Sequence, residues 1–207
     1  DTTASFALSA YLRTLVADEA PFQSWLKGER GSMTDAQKRG AIVFFDKANC
    51  VSCHSGKAFS AVNFYSIGVN DLDARGDVFI ANPNDTRKMG RGGFTGKPED
   101  MRKFKVPQLY NLGDAPFYFH GSSKYTLEEV VDYFDLAIPE NPEVPTEVIS
   151  PLFQPLNLTT EEKADLVEFL RNGLRDPNLN RYMPESIKSG NCFPNNDPFS
   201  KVDLNCN

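Results

Sequence analysis

A chain of 207 residues with a formal charge of −6 and a pI near 5.0 fits one domain, or one domain with an appendage. The acidic balance argues against a nucleic-acid partner, because phosphate contacts need clustered Lys and Arg, and the longest apolar run, near "AIVFF", is far too short to span a bilayer. Hydrophobic residues at 40% and charged residues at 24% leave material for an ordinary core, in which sixteen Phe stand against one Trp.

Residues 5 to 27 place Phe6, Leu8, Tyr11, Leu12 and Leu15 at helical spacing, and Pro21 breaks or restarts the pattern. After a "GERGS" loop, Thr34 with Gln37 three residues on forms a capping box, which predicts a helix from about Asp35 to Asp46. From Ser55 to Val106 the period is lost and turn signals such as "NPND" and "GRGG" accumulate. This stretch reads as loop, with short extended pieces at "NFYSIGV" and "KFKVP". So long a loop in a compact domain calls for something to organise it, and a bound cofactor would do so.

Order returns at "TLEEVVDYFDLA", where Thr126 and Glu129 make a second capping box and Leu127, Val130, Val131 and Phe134 share a face. A proline-rich linker, "PENPEVPTEVISP", follows. The clearest helix is "TTEEKADLVEFLRNGL", capped by Thr159 with Glu162 and ending near Gly173. In the tail, Cys192 and Cys206 bracket a Pro- and Asn-rich loop of the size at which a disulfide stabilises by about 3 kcal/mol, so they are read as bonded to each other. The expected architecture is all-α: an N-terminal helical segment over 1–33, a helical domain with a loop-rich middle over 34–175, and a disulfide-closed extension over 176–207.

The chemistry is concentrated in "ANCVSCHSG", residues 48–56. A structural zinc site needs four ligands, and the chain has only His54 and His120 as histidines, with its other cysteines about 140 residues away. A redox dithiol needs a strand-turn-helix setting and has no use for the histidine. The pattern C-x-x-C-H, in contrast, attaches c-type haem: Cys50 and Cys53 form thioethers to the former vinyl groups, and His54 sits beneath the iron.

The strings "ALSAYLRTLVADEAPFQSWLKGE", "MTDAQKRGAIVFFDKANCVSCHSG", "TGKPEDMRKFKVPQLYNL", "APFYFHG", "TLEEVVDYF" and "LTTEEKADLVEFLRNGL" together resemble the C-terminal haem half of bacterial di-haem cytochrome c peroxidases. That family includes the related di-haem enzymes that mature tryptophan-derived cofactors. The resemblance covers roughly residues 5 to 175. It implies a cytochrome c-like helical domain with one haem c, in a protein whose peroxide-reacting haem lies in another half. The segment at 1–33 then corresponds to the helix that joins the halves, and the start at Asp1, in mid-pattern, fits a leader or domain removed upstream.

The same resemblance places a sixth iron ligand, Met or Tyr, fourteen residues after the histidine of "FHG". Here that count from His120 reaches Phe134, with Tyr133 beside it. The candidates left for the sixth position are Met101 and Met89, His120 itself, or no protein ligand at all; each methionine also reads as plain packing. By the same resemblance His120 lies at the haem propionates, which Arg102 and Lys105 could pair. Both could equally be solvated charges. Calcium, held in the family between the two halves, finds little support in "LGDAPFY".

Three functions are compatible with these residues. The first is electron transfer through a mono-haem domain to a redox protein or a second haem domain. The second is peroxide reduction at an open iron site or within a larger di-haem enzyme. The third is a haem-stabilised binding module. Haem attachment after export, together with a disulfide, predicts a periplasmic or otherwise extracytoplasmic location.

Overall fold

In a computed structural model of the chain, residues 2–71, 85–179 and 202 are described. The chain divides into two units. One comprises Asp1–Val16 and Asn178–Asn207, in which helix α1 spans Thr2–Leu12. The other, Ala17–Pro177, contains every motif discussed below except the cysteine-bracketed tail. Cys192, Cys206 and the disulfide expected between them lie outside the described residues.

The helical spacing read over 5–27 resolves into two helices: α1 already ends at Leu12, short of Leu15, and a separate helix, α2 (Pro21–Leu26), starts with Pro21 in its first turn, the restart that the sequence offered. Helix α3 (Asp35–Phe45) starts at the predicted capping box. The Thr34 hydroxyl accepts from the Gln37 N–H at 3.2 Å, and the Gln37 side chain accepts from the Thr34 N–H at 3.0 Å. The same reciprocal pair closes the start of α5 (Leu127–Leu136) through Thr126 and Glu129, and of α6 (Thr160–Glu168) through Thr159 and Glu162. The last turn of α6 widens into a π turn over Phe169–Gly173. A short helix, α4 (Arg91–Thr95), lies in the loop-rich middle.

The two pieces read as extended pair with each other. Strands β1 (Phe64–Tyr65) and β2 (Phe104–Lys105) are antiparallel, with Phe64 opposite Lys105 and Tyr65 opposite Phe104. The rest of the described middle is turn and loop, with short helical turns at Thr86–Met89 and Pro98–Asp100. The described secondary structure is therefore mainly helical.

Helices α3 and α6 cross at Gly40, where an added Cβ would lie 2.0 Å from the Asp165 carbonyl oxygen. Beside the crossing, the Arg39 guanidinium donates twice to the buried Asp165 carboxylate, at 2.6 and 2.8 Å. The main core gathers Phe44, Leu127, Leu166, Phe169 and Leu174. Phe22, Phe44, Phe59 and Phe169 meet edge-on or tilted, the Phe22–Phe169 and Phe44–Phe59 centroids both 5.4 Å apart. A second, smaller core holds Val69, Tyr133 and Phe153, with Ile67, Phe119 and Phe134 packed on it. Much of the Phe content is thus ordinary packing.

Candidate functional site

Helix α3 delivers the chain to Asn49, whose left-handed φ of 46° turns the backbone sharply. A 3₁₀ turn over Cys50–Ser52 follows. The Cys50 carbonyl accepts from the N–H of Cys53 at 3.2 Å and from that of His54 at 2.8 Å, so one carbonyl gathers the whole motif on a single turn. Cys50 and Cys53 are not joined in a disulfide. Burial pushes the Cys50 thiol up to about 12, with the neighbouring Cys53 adding to the effect, and burial raises Cys53 as well. A redox dithiol works the other way, through a cysteine held as thiolate in electropositive surroundings. Among the described residues no group of three or more His, Cys, Asp or Glu could hold a metal ion, so a zinc cluster around this motif is not formed there.

His54 carries the decisive geometry. Its Nδ1 lies 3.1 Å from the Phe59 carbonyl and 3.1 Å from the Pro107 carbonyl. A carbonyl can only accept, so two of them require a proton on Nδ1 and leave the lone pair on Nε2. Burial lowers the pKa of the ring; the two carbonyls oppose this, and the charge of Lys105 reinforces it. The result is a neutral imidazole of fixed tautomer and orientation, which is what a metal-binding histidine needs from its surroundings. Phe59 and Pro107 were not candidates in the sequence, though "KVP" marked the second as part of an extended piece.

The remaining candidates are dispersed. His120 turns its Nε2 toward Asp71 Oδ1 at 3.1 Å, and its ring stacks on Phe104 with centroids 3.6 Å apart. Burial lowers its pKa, against the opposing pull of Asp71. Arg102 is buried, donating to Asp71 at 2.8 Å and to Glu143 at 3.2 Å, so its guanidinium is engaged with carboxylates of the chain itself. The Lys105 ammonium donates to the Ser60 hydroxyl at 2.8 Å and the Val106 carbonyl at 2.7 Å. Met101 packs its thioether on the backbone of α4, where a Cβ added to Gly92 would lie 2.6 Å from the sulfur. Met89 ends the Thr86–Met89 turn, half-buried, its carbonyl accepting from the Arg102 N–H. The Tyr133 hydroxyl donates to the Ile67 carbonyl at 2.6 Å, and Phe134 is half-buried in the second core. Lys105 thus stays with His54 around the cysteine motif, whereas His120 and Arg102 meet at Asp71.

Two thiols and one imidazole with a directed Nε2, all on one turn, fit the donor set of a thioether-linked haem. No family model matches the chain. It is 30% identical over 183 residues to the cytochrome-c peroxidase IdrP1 of Pseudomonas sp. (strain SCT), covering 79% of this chain and 47% of that protein. It is 31% identical over 171 residues to the methylamine utilization protein MauG of Methylophilus methylotrophus, covering 80% and 45%. The chain belongs to the family of bacterial di-haem cytochrome c peroxidases and MauG-like enzymes. Among solved structures, a MauG-like protein associated with microbial copper homeostasis superposes with a TM-score of 0.63 at 30% identity, over 78% of this chain and 49% of that one. The chain therefore spans about half the length of the family members it matches.

Proposed function

We propose that the chain is a mono-haem c-type domain whose haem is linked through Cys50 and Cys53 and ligated by His54 Nε2, and that it carries out one-electron transfer within a di-haem peroxidase-type system. The observation that carries this reading is the pair of carbonyls on His54 Nδ1. Haem bound there would supply a one-electron iron couple. The residues of the chain do the rest. Asn49 sets the turn, the Cys50 carbonyl fixes the spacing of the two sulfurs, and the Phe59 and Pro107 carbonyls hold the imidazole proton away from the metal side. Helix α3, locked against α6 at Gly40, gives the motif a rigid base.

The partner in this reading is a second haem domain or a small redox protein. The setting is extracytoplasmic, because covalent haem attachment to cytochromes c follows export. Among the described residues no helix is long and apolar enough to cross a membrane.

Peroxide reduction is the second reading. It draws support from Phe134, which cannot ligate iron, at the position where the resemblance implies a sixth ligand. The neighbouring Tyr133 hydroxyl is already given to Ile67.

The test is the visible spectrum of matured protein, followed by extraction with acidified acetone. Pigment that stays on the wild-type chain and is lost from Cys50→Ala/Cys53→Ala supports the attachment. A colourless chain overturns it. A low-spin spectrum indifferent to cyanide favours electron transfer, and a high-spin one that shifts with cyanide favours peroxide chemistry.

A further inference from the structure

The charge of this protein is unevenly placed. Seven of its 22 Lys and Arg fall within Asp85–Lys105, against three acids, although the whole chain carries −6. Part of that positive charge is neutralised at once. Arg87 pairs with Asp85, Arg91 lies 3.1 Å from Asp100, and Arg102 is buried against Asp71 and Glu143. Lys97, Lys103 and Lys105 form no ion pair with a described acid, and Lys105 donates only to uncharged oxygens. Lys57, three residues after His54, is exposed and likewise has no ion pair among the described residues.

An apolar side chain projects from the same lobe. Phe94 is 94% exposed, the highest exposure of any large hydrophobic among the described residues. Its position is held firmly. An added Cβ on Gly93 would lie 1.9 Å from the Thr86 carbonyl oxygen, and one on Gly92 would meet Met101, so the turn of α4 is packed tightly behind the ring. The lobe is also continuous with the candidate haem site. Lys105 precedes Pro107, whose carbonyl holds His54, by two residues, and its charge acts on that imidazole.

We propose that this lobe, which carries the exposed Phe94 together with Lys97, Lys103 and Lys105, is the docking surface for a small redox protein whose exposed cofactor edge is rimmed with Asp and Glu. As an electron-transfer surface it rests on the haem reading above; the docking itself does not. Charge complementarity selects the partner class: a basic lobe on an acidic protein attracts an acidic patch and turns away a basic one. The exposed Phe94 ring supplies the contact that salt does not screen.

The test titrates the full haem-loaded chain, by calorimetry at low and high salt, with an acidic blue-copper protein of the plastocyanin type. A basic mitochondrial-type cytochrome c serves as counter-probe, and vesicles of phosphatidylcholine with phosphatidylserine as a third. The expected result is binding to the acidic probe alone, weakened on the order of tenfold at low salt by Lys97→Glu/Lys103→Glu. Phe94→Ser should weaken it at high salt as well. Equal binding of the basic probe, or variants that bind as the wild type does, would overturn the proposal. So would binding to vesicles alone, or self-association through the lobe seen in sedimentation. An unpigmented chain that still binds the acidic probe supports the surface and refutes the haem reading, so the two failures are told apart.

Discussion

Asp71 is buried and receives three side chains drawn from distant parts of the chain: Arg102 at 2.8 Å, His120 at 3.1 Å and Asn141 at 3.1 Å. Arg102 reaches it from a left-handed backbone with φ of 59°, a conformation few non-glycine residues adopt. Removing one partner of a buried ion pair leaves the other charge uncompensated. Arg102→Leu should therefore cost about 3 kcal/mol in urea unfolding. His120 makes the hub sensitive to acid. Burial lowers its pKa below the ordinary 6.5, so as pH falls the unfolded chain takes the proton first. The stability contributed by the neutral ring is fully present above about 6.5 and is lost as pH falls through the folded value. The urea midpoint should drop between pH 7 and 5, and His120→Gln should flatten part of that drop.

At the scale of elements, the α3–α6 crossing decides how the cysteine motif is held. Alanine is favoured over glycine inside a helix by about 1 kcal/mol. At Gly40 that gain is outweighed, because the new methyl would meet a backbone carbonyl at 2.0 Å and one of the two helices would have to move. Gly40→Ala should destabilise the fold by about 2 kcal/mol net, read from denaturant unfolding, and should loosen the base of the Cys50–His54 turn. The capping boxes are worth less and act locally. Thr159→Ala should cost about 1 kcal/mol and shorten α6 at its start, visible as faster amide exchange there. All three boxes were legible in the sequence, because a cap and its acceptor are three residues apart. The pairing of β1 with β2 was half legible: both pieces read as extended, but nothing in either named the other.

At the scale of the molecule, the described residues form two apolar cores rather than one, a large one around α3 and α6 and a small one around Tyr133 and Phe153. A haem attached at Cys50 and Cys53 would add apolar surface for such cores to cover. Thioether links would keep that haem on the unfolded chain as well, so it would stabilise the fold through the apolar surface buried against it on folding. The Cys50→Ala/Cys53→Ala chain should therefore melt ~10 °C below the pigmented wild type by circular dichroism, the effect of about 3 kcal/mol at this length.

The sequence by itself determined the C-x-x-C-H turn, the three capped helices and the helix start at Pro21, because each depends on interactions reaching only a few residues. Tertiary structure alone decided which carbonyls hold His54, where Arg102 and His120 are engaged and where α3 meets α6. The Pro107 carbonyl stands 53 residues from His54, Asp71 stands 31 from Arg102, and Asp165 stands 126 from Arg39. Backbone carbonyls are the same in every residue and a carboxylate pairs with any nearby cation, so such partnerships leave no trace in the order of residues and exist only once packing brings them together.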